Sequence, residues 1–124
     1  MFKTHEECLV YLEKIRWNGT PICPYCGSDK ATMYKNEHRY RCNSCFTSYS
    51  VTVGTIFHQT HVDLRKWFQA ILLLCKLNRD ISVRKLAQEI HVNRATASLM
   101  VSRIRNTSPE QTEILMKIIE ISEE

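Results

Sequence analysis

The chain has 124 residues, 44% hydrophobic and 24% charged, a composition that suits one globular domain or two very small modules. Its longest apolar run, Ala70 to Cys75, is too short to cross a bilayer. The opening residues Met1-Phe2-Lys3-Thr4-His5 lack the basic-then-apolar layout of a secretory leader, so a cytoplasmic protein without a membrane partner is expected. The net charge of +4 is unevenly spread: residues 1–20 are neutral, 21–53 carry +2, 54–106 carry +6 and 107–124 carry −4. A basic middle block fits a polyanionic partner, and it equally fits an ordinary solvated face.

The first predicted element is a helix after Thr4. Thr4-His5-Glu6-Glu7 has the form of a capping box, Cys8, Leu12 and Ile15 mark one apolar face, and Asn18-Gly19 before Pro21 ends the helix. The cysteines carry the next signal. Two C-x2-C pairs, Cys23/Cys26 and Cys42/Cys45, stand fifteen residues apart, the spacing of a four-thiolate zinc site. Two cysteines three apart turn both sulfurs inward around a tight knuckle, and two knuckles supply the four corners of a tetrahedral ion. Pro24 stiffens the first knuckle and Gly27 permits the backbone turn after it. One structural Zn2+ on Cys23, Cys26, Cys42 and Cys45 is expected; a redox dithiol and a rubredoxin-like iron centre are the competing readings. Cys8 and Cys75 lie in apolar helical patterns and read as core thiols.

Between the knuckles, residues 31–35 and 38–42 flank Asn36-Glu37 and predict a hairpin. Residues 47–53 alternate and are rich in β-branched side chains, which predicts a third strand. His38, beside the hairpin turn, reads as a solvent-facing strand residue rather than a ligand. A three-stranded antiparallel sheet pinned at one end by zinc is a zinc ribbon, and so small a sheet draws much of its folding free energy from the metal.

Beyond Gly54 the pattern turns helical. Asp63 caps a predicted helix over 64–77, whose wide apolar face (Trp67, Phe68, Ile71, Leu74, Cys75) suits a central core position; Asn78-Arg79-Asp80 ends it. Ser82 caps a short helix over 83–90 with Val83, Leu86, Ala87 and Ile90 inward. After a turn at His91-Val92, Asn93 caps a helix over 94–106 with Ala97, Met100, Val101 and Ile104 inward. Short helix, tight turn and second helix form the helix-turn-helix layout. The corner position often held by glycine is His91 here, a residue that tolerates a left-handed backbone better than most.

In that layout the second helix enters the major groove and presents its N-terminal residues to base edges. Arg94, Ala95, Ser98, Leu99 and Ser102 point away from the core. Arg94 reaches for guanine, Ala95 and Leu99 for a thymine methyl, and Asn93 and Thr96 lie close by. Arg103 and Arg105, with Arg84 and Lys85 from the preceding helix, suit phosphates. A plain three-helix bundle with a solvated basic face remains the alternative. The tail opens on Ser108-Pro109, and Ile114, Leu115, Ile118 and Ile119 form a stripe that either folds onto the core or meets another chain. The expected organisation is therefore α+β: helix and ribbon over 1–57, a helix-turn-helix bundle over 58–106, and an acidic amphipathic helix over 107–124.

Arg16-Trp17, Gly19, Cys23-Pro24-Tyr25-Cys26-Gly27-Ser28, Tyr40-Arg41-Cys42, Cys45, the run from Tyr49 to Phe57, Thr60, Leu64 and Trp67 together resemble the N-terminal part of the ISXO-type insertion-sequence transposases. The resemblance runs from about Phe2 to Ile104 and is most specific over Tyr49–Phe57. It implies recognition of transposon-end DNA, with strand cutting assigned to a later RNase H-like domain that holds an acidic triad. Asp29, Asp63 and Asp80 do not make such a triad, so no catalytic residue is expected and a truncated or repurposed relative is anticipated. The function expected is sequence-specific binding of double-stranded DNA as a regulator or accessory recognition subunit, at the nucleoid, without a small-molecule substrate. The alternative is a protein-interaction adaptor that uses the ribbon and residues 109–121 to hold a partner or a second copy.

Overall fold

The computed structural model describes residues 3–34, 38–58, 62–77 and 80–122. The predicted hairpin turn at Asn36-Glu37, Lys35 before it, and Asn78-Arg79 after the long helix lie outside the described residues, as do Phe2 and Thr60. The chain divides into two compact units, residues 4–60 and residues 61–124 together with the first three. Among the described residues no helix is long and apolar enough to cross a membrane.

The first unit begins with α1 (His5–Trp17). Thr4 Oγ1 accepts the Glu7 N–H at 3.1 Å, so one of the four orphan amides of the first turn is satisfied. Glu6 and Glu7 sit at the positive end of the helix dipole, Lys14 and Arg16 at the negative end. Asn18 takes a left-handed backbone (φ 53°) and returns its N–H to Lys14 O, which closes the helix. Three short strands follow, β1 (Ala31–Met33), β2 (Arg39–Cys42) and β3 (Ser48–Ser50), antiparallel in the order β1-β2-β3. Tyr40 pairs with Tyr49 and Arg41 with Ser48, so the period of two sends Tyr40, Cys42 and Tyr49 inward and Arg39 and Arg41 outward. The inner face meets Trp17: its ring stands edge-on to Tyr40 (5.5 Å) and Tyr49 (5.8 Å), and the two tyrosines stack at 5.8 Å. This aromatic trio is buried together with Cys8, Leu12, Val51, Ile56 and Phe57, in a unit that has few aliphatic residues to bury.

Two features of this unit depart from expectation. The third strand ends at Ser50, and residues 51–58 form turns. His38 is not a solvent-facing strand residue: it precedes β2 with φ 57°, and its side chain is 14% exposed, with Nε2 3.2 Å from Glu6 Oε1 and Nδ1 3.5 Å from Glu13 Oε1. The partners lie on α1, 32 and 25 residues upstream, beyond the reach of any local pattern.

The second unit is helical: α2 (Leu64–Leu72) with a π-helical continuation over Leu73–Leu77, α3 (Val83–Ile90), α4 (Arg94–Arg105) and α5 (Pro109–Ser122). Leu64, Trp67, Phe68, Ala70 and Ile71 of α2 are buried, and α3, α4 and α5 pack around that helix. The wider π turn shifts the buried face; Leu74 stays inside while Leu77 is exposed, and Cys75 is half-buried rather than a core thiol. Val83, expected inside, is likewise half-buried. Caps set the helix starts: Asp63 accepts from Arg65 N, Ser82 from Lys85 N and Asn93 from Thr96 N. His91 ends α3 in the left-handed region (φ 58°, ψ 51°), and its carbonyl accepts Lys66 Nζ at 3.0 Å, which ties the turn to α2. Ile114, Leu115 and Ile118 of α5 are buried and the helix lies on α2, so most of the tail's apolar stripe packs inside its own unit, with Ile119 half-buried and Met116 exposed.

A candidate zinc centre and a basic helical face

The two knuckles are built alike. In the first, the Cys23 N–H donates to Ser28 O and the Gly27 N–H to Cys23 O; in the second, the Cys42 N–H donates to Thr47 O and the Phe46 N–H to Cys42 O, all at 2.9–3.0 Å. Each places a left-handed residue just after its second cysteine, Gly27 at φ 79° and Phe46 at φ 64°. Ser44 Oγ donates to Ser28 Oγ at 2.9 Å and links the two loops.

The outcome is a set of four Sγ atoms, from Cys23, Cys26, Cys42 and Cys45, all within 4.8 Å of one another. Cys23 and Cys45 approach to 3.6 Å and Cys26 and Cys42 to 3.4 Å. Four thiolates at a zinc–sulfur distance of about 2.3 Å stand about 3.8 Å apart along the tetrahedron's edges, so the cluster has the dimensions of a Zn(Cys)4 site. The surrounding backbone prefers thiolate. The N–H groups of Cys45 and Ser44 both donate to Cys42 Sγ at 3.4 Å and draw the Cys42 thiol down to about 6, the Cys45 N–H contributing most. The Thr47 hydroxyl and then its N–H lower the Cys45 thiol. Burial, and then the negative charge of the cysteines, push the Tyr49 hydroxyl up to about 12; it is buried without a hydrogen-bond partner among the described residues. The donor set fits one structural zinc ion, and four thiolates use every position of a tetrahedral shell.

A second constellation, not predicted as a site, holds the segment after the ribbon. Arg16 Nη1 donates to Val51 O at 2.6 Å and to Val53 O at 2.7 Å. Burial lowers its pKa below the ordinary value for arginine. Gly54 follows with φ 81°, and a Cβ there would stand 3.3 Å from Arg16 Nη2. Thr55 Oγ1 donates to Thr52 O at 2.6 Å and accepts the Phe57 N–H at 3.2 Å. The run from Tyr49 to Phe57 is therefore an ordered clasp closed by one guanidinium. In the sequence its two halves, Arg16 and the run from Tyr49 to Phe57, stand out only through the transposase resemblance; nothing local joins them, since the helix dipole alone already accounts for a cation at the end of α1.

The residues expected to meet DNA lie on α3 and α4. Arg84, Lys85, Asn93, Arg94, Ala95, Ser98, Leu99, Ser102 and Arg105 are exposed, whereas Thr96 and Arg103 are half-buried. Lys85 sits 3.4 Å from Glu89 on its own helix, a weak exposed pair, and Asn93 Oδ1 is engaged by the Thr96 N–H at 2.7 Å. The opposite side of α4, Ala97, Met100, Val101 and Ile104, is buried.

Comparison with known proteins agrees with the ribbon's geometry. The chain is 35% identical over 95 residues to the "Uncharacterized protein in transposable element ISH50" of Halobacterium salinarum, a match covering 74% of this chain and 32% of that relative. The chain thus spans about a third of the relative's length. No solved structure matches. Residues 3–48, which hold α1, both knuckles and the sheet as far as the start of β3, match the family described as the transposase zinc-ribbon domain. At its N-terminus this chain therefore carries a transposase zinc-ribbon domain.

Proposed function

We propose that the chain recognises double-stranded DNA of a mobile element, with α3 and α4 acting as a helix-turn-helix and α4 as the groove-reading helix. The observation that carries this reading is the outward face of α4. Arg94, Ala95, Ser98, Leu99 and Ser102 are exposed there, and the helix holds three arginines and no carboxylate. Leu99 is 48% exposed, which leaves a hydrophobic side chain between hydroxyls and guanidinium groups, the mixture that meets thymine methyls and base edges in a major groove. Arg94 and Asn93 stand at the N-terminal end of α4, the end whose residues contact base edges in a docked helix-turn-helix. Arg84, Lys85, Arg103 and Arg105 supply cations for the flanking phosphates, and the ribbon with its zinc would act as a rigid companion module. On this reading the chain serves as an accessory recognition subunit or a regulator of the element.

Selection from a random duplex library followed by anisotropy titration tests the proposal. A preferred site is expected, with affinity that falls steeply as salt rises. Arg94→Ala should weaken the selected site on the order of 5- to 100-fold and relax the preference at one base position. Equal affinity of Arg94→Ala for the selected duplex would remove α4 from the interface. The tail stripe offers little to a protein-adaptor reading, because Ile114, Leu115 and Ile118 are covered within the chain.

A further inference from the structure

The two knuckles share one hydrogen-bond pattern, and the position that is Gly27 in the first is Phe46 in the second. A left-handed backbone is free for glycine and strained for a side-chain-bearing residue. Phe46 holds that conformation at φ 64° and still leaves 66% of its surface in water. Neither the backbone nor the core gains by the ring, and strain retained without a packing return is the mark of a functional position.

The surroundings identify what the ring meets. Arg41 lies on the outer face of β2, with its guanidinium carbon 5.3 Å from the centre of the Phe46 ring. Arg39 stands two residues away on the same exposed face. Among the described residues neither arginine has a carboxylate within ion-pairing distance; Glu6 and Glu13 of α1 instead meet His38, and Glu13 accepts from Tyr40. Tyr34 reaches across β2 from the β1 edge, its hydroxyl 3.0 Å from Ser48 Oγ on β3, and adds a second partly exposed ring. A shallow sheet face with two guanidinium groups that pair with no described carboxylate, and with exposed rings, matches a chain of phosphates whose bases are free to stack. In a duplex the base faces are covered by their neighbours, so stacking on Phe46 requires an unpaired strand.

We infer that the outer face of the ribbon, centred on Phe46 and Arg41, is a stacking platform for the unpaired bases of a single-stranded polynucleotide, distinct from the duplex-binding helix proposed above. Phe46 takes a base face, Arg41 extends the platform by its cation–π contact, and Arg39 holds the neighbouring phosphate.

The experiment titrates the full zinc-loaded chain with labelled oligo(dT) and oligo(rU) of about 12 nucleotides, alongside the selected duplex. Phe46→Gly is the principal variant because it relieves the left-handed strain. Its zinc content and urea midpoint should equal or exceed those of the parent, while single-strand affinity falls on the order of 5- to 100-fold. Phe46→Trp should keep the affinity, Arg41→Ala should lower it, and Arg94→Ala should weaken duplex binding alone. Tighter binding of oligo(dT) or oligo(rU) identifies DNA or RNA as the natural strand. Single-strand affinity unchanged in Phe46→Gly overturns the assignment, and so does a lowered midpoint that accompanies the loss, which would give the ring a packing role. Failure of duplex binding in the same titrations bears only on α4.

Discussion

Replacing Arg16 by methionine keeps the aliphatic stem and removes the guanidinium that closes the Val51–Val53 clasp. Two hydrogen bonds are lost, at 2.6 and 2.7 Å, each from a charged donor to a main-chain carbonyl. Such bonds contribute about 1.5–3 kcal/mol each. Val51 is wholly buried, so water does not replace the donor at its carbonyl without opening the turn, whereas Val53 is half-buried and regains some hydration. Burial already disfavours the charged guanidinium, so the lower end applies and the variant should lose about 3 kcal/mol of ribbon stability. With a urea m-value of about 1 kcal/mol/M for so small a unit, the midpoint should fall by about 3 M. Zinc release to a chromophoric chelator during urea unfolding reports on the ribbon alone, because the helical unit holds no predicted ligand. Arg16→Lys keeps the charge but not the fork that spans two carbonyls, and should fall between the two. Gly54→Ala should cost about 1–2 kcal/mol through its φ of 81°. Combined with Arg16→Met its effect should be smaller, since the 3.3 Å approach to Arg16 Nη2 is then gone. A midpoint for Arg16→Met within about 0.5 M of the parent, the range of an ordinary surface substitution, would refute the clasp.

Two further outcomes follow from the same unit. Cys26 and Cys42 stand 3.4 Å apart, with the Cys42 thiol drawn down and the Cys26 thiol pushed up, so zinc binding at neutral pH displaces a proton shared by this pair. Because Cys42 is depressed from its ordinary 9.0, its contribution to the metal-free fold is complete above that value and lost as pH falls through about 6. Chelator competition should therefore show zinc affinity rising with pH, Cys26→Ser should lose most of that affinity, and Cys8→Ala should leave the stoichiometry at one; a pH-independent affinity would contradict the four-thiolate site. Tyr40→Phe removes a 2.7 Å bond to Glu13 and should lower ribbon stability by about 1.5 kcal/mol in urea. A loss below about 0.3 kcal/mol would show that bond to be idle.

Helix starts were legible wherever the cap oxygen and the N–H that donates to it lie within three residues. Thr4, Asp63, Ser82 and Asn93 all cap as their sequence positions imply. The cysteine spacing was equally telling, because a knuckle is a local turn and two of them close on one ion without help from distant parts of the chain. The strand positions followed from β-branched and aromatic alternation, but the third strand was overextended: residues 51–53 have strand-like side chains, and their carbonyls are taken by Arg16 and a local turn instead of a ladder partner. His38 was misplaced for a similar reason, since its carboxylate partners sit on α1.

The sequence by itself determined this protein's local grammar: caps, knuckles and the order of helices and strands, all set by neighbours within a few residues, and, through the regular spacing of two knuckles, the four sulfurs of the metal site. Tertiary structure alone decided which polar groups meet across long stretches of chain. Arg16 reaches 35 residues to Val51, Tyr40 reaches 27 to Glu13, and Ile114, Leu115 and Ile118 of the tail are buried where α5 packs on α2. It also decided that Phe46 is strained and exposed at once, because exposure depends on everything that fails to pack against a residue, and no local pattern records that.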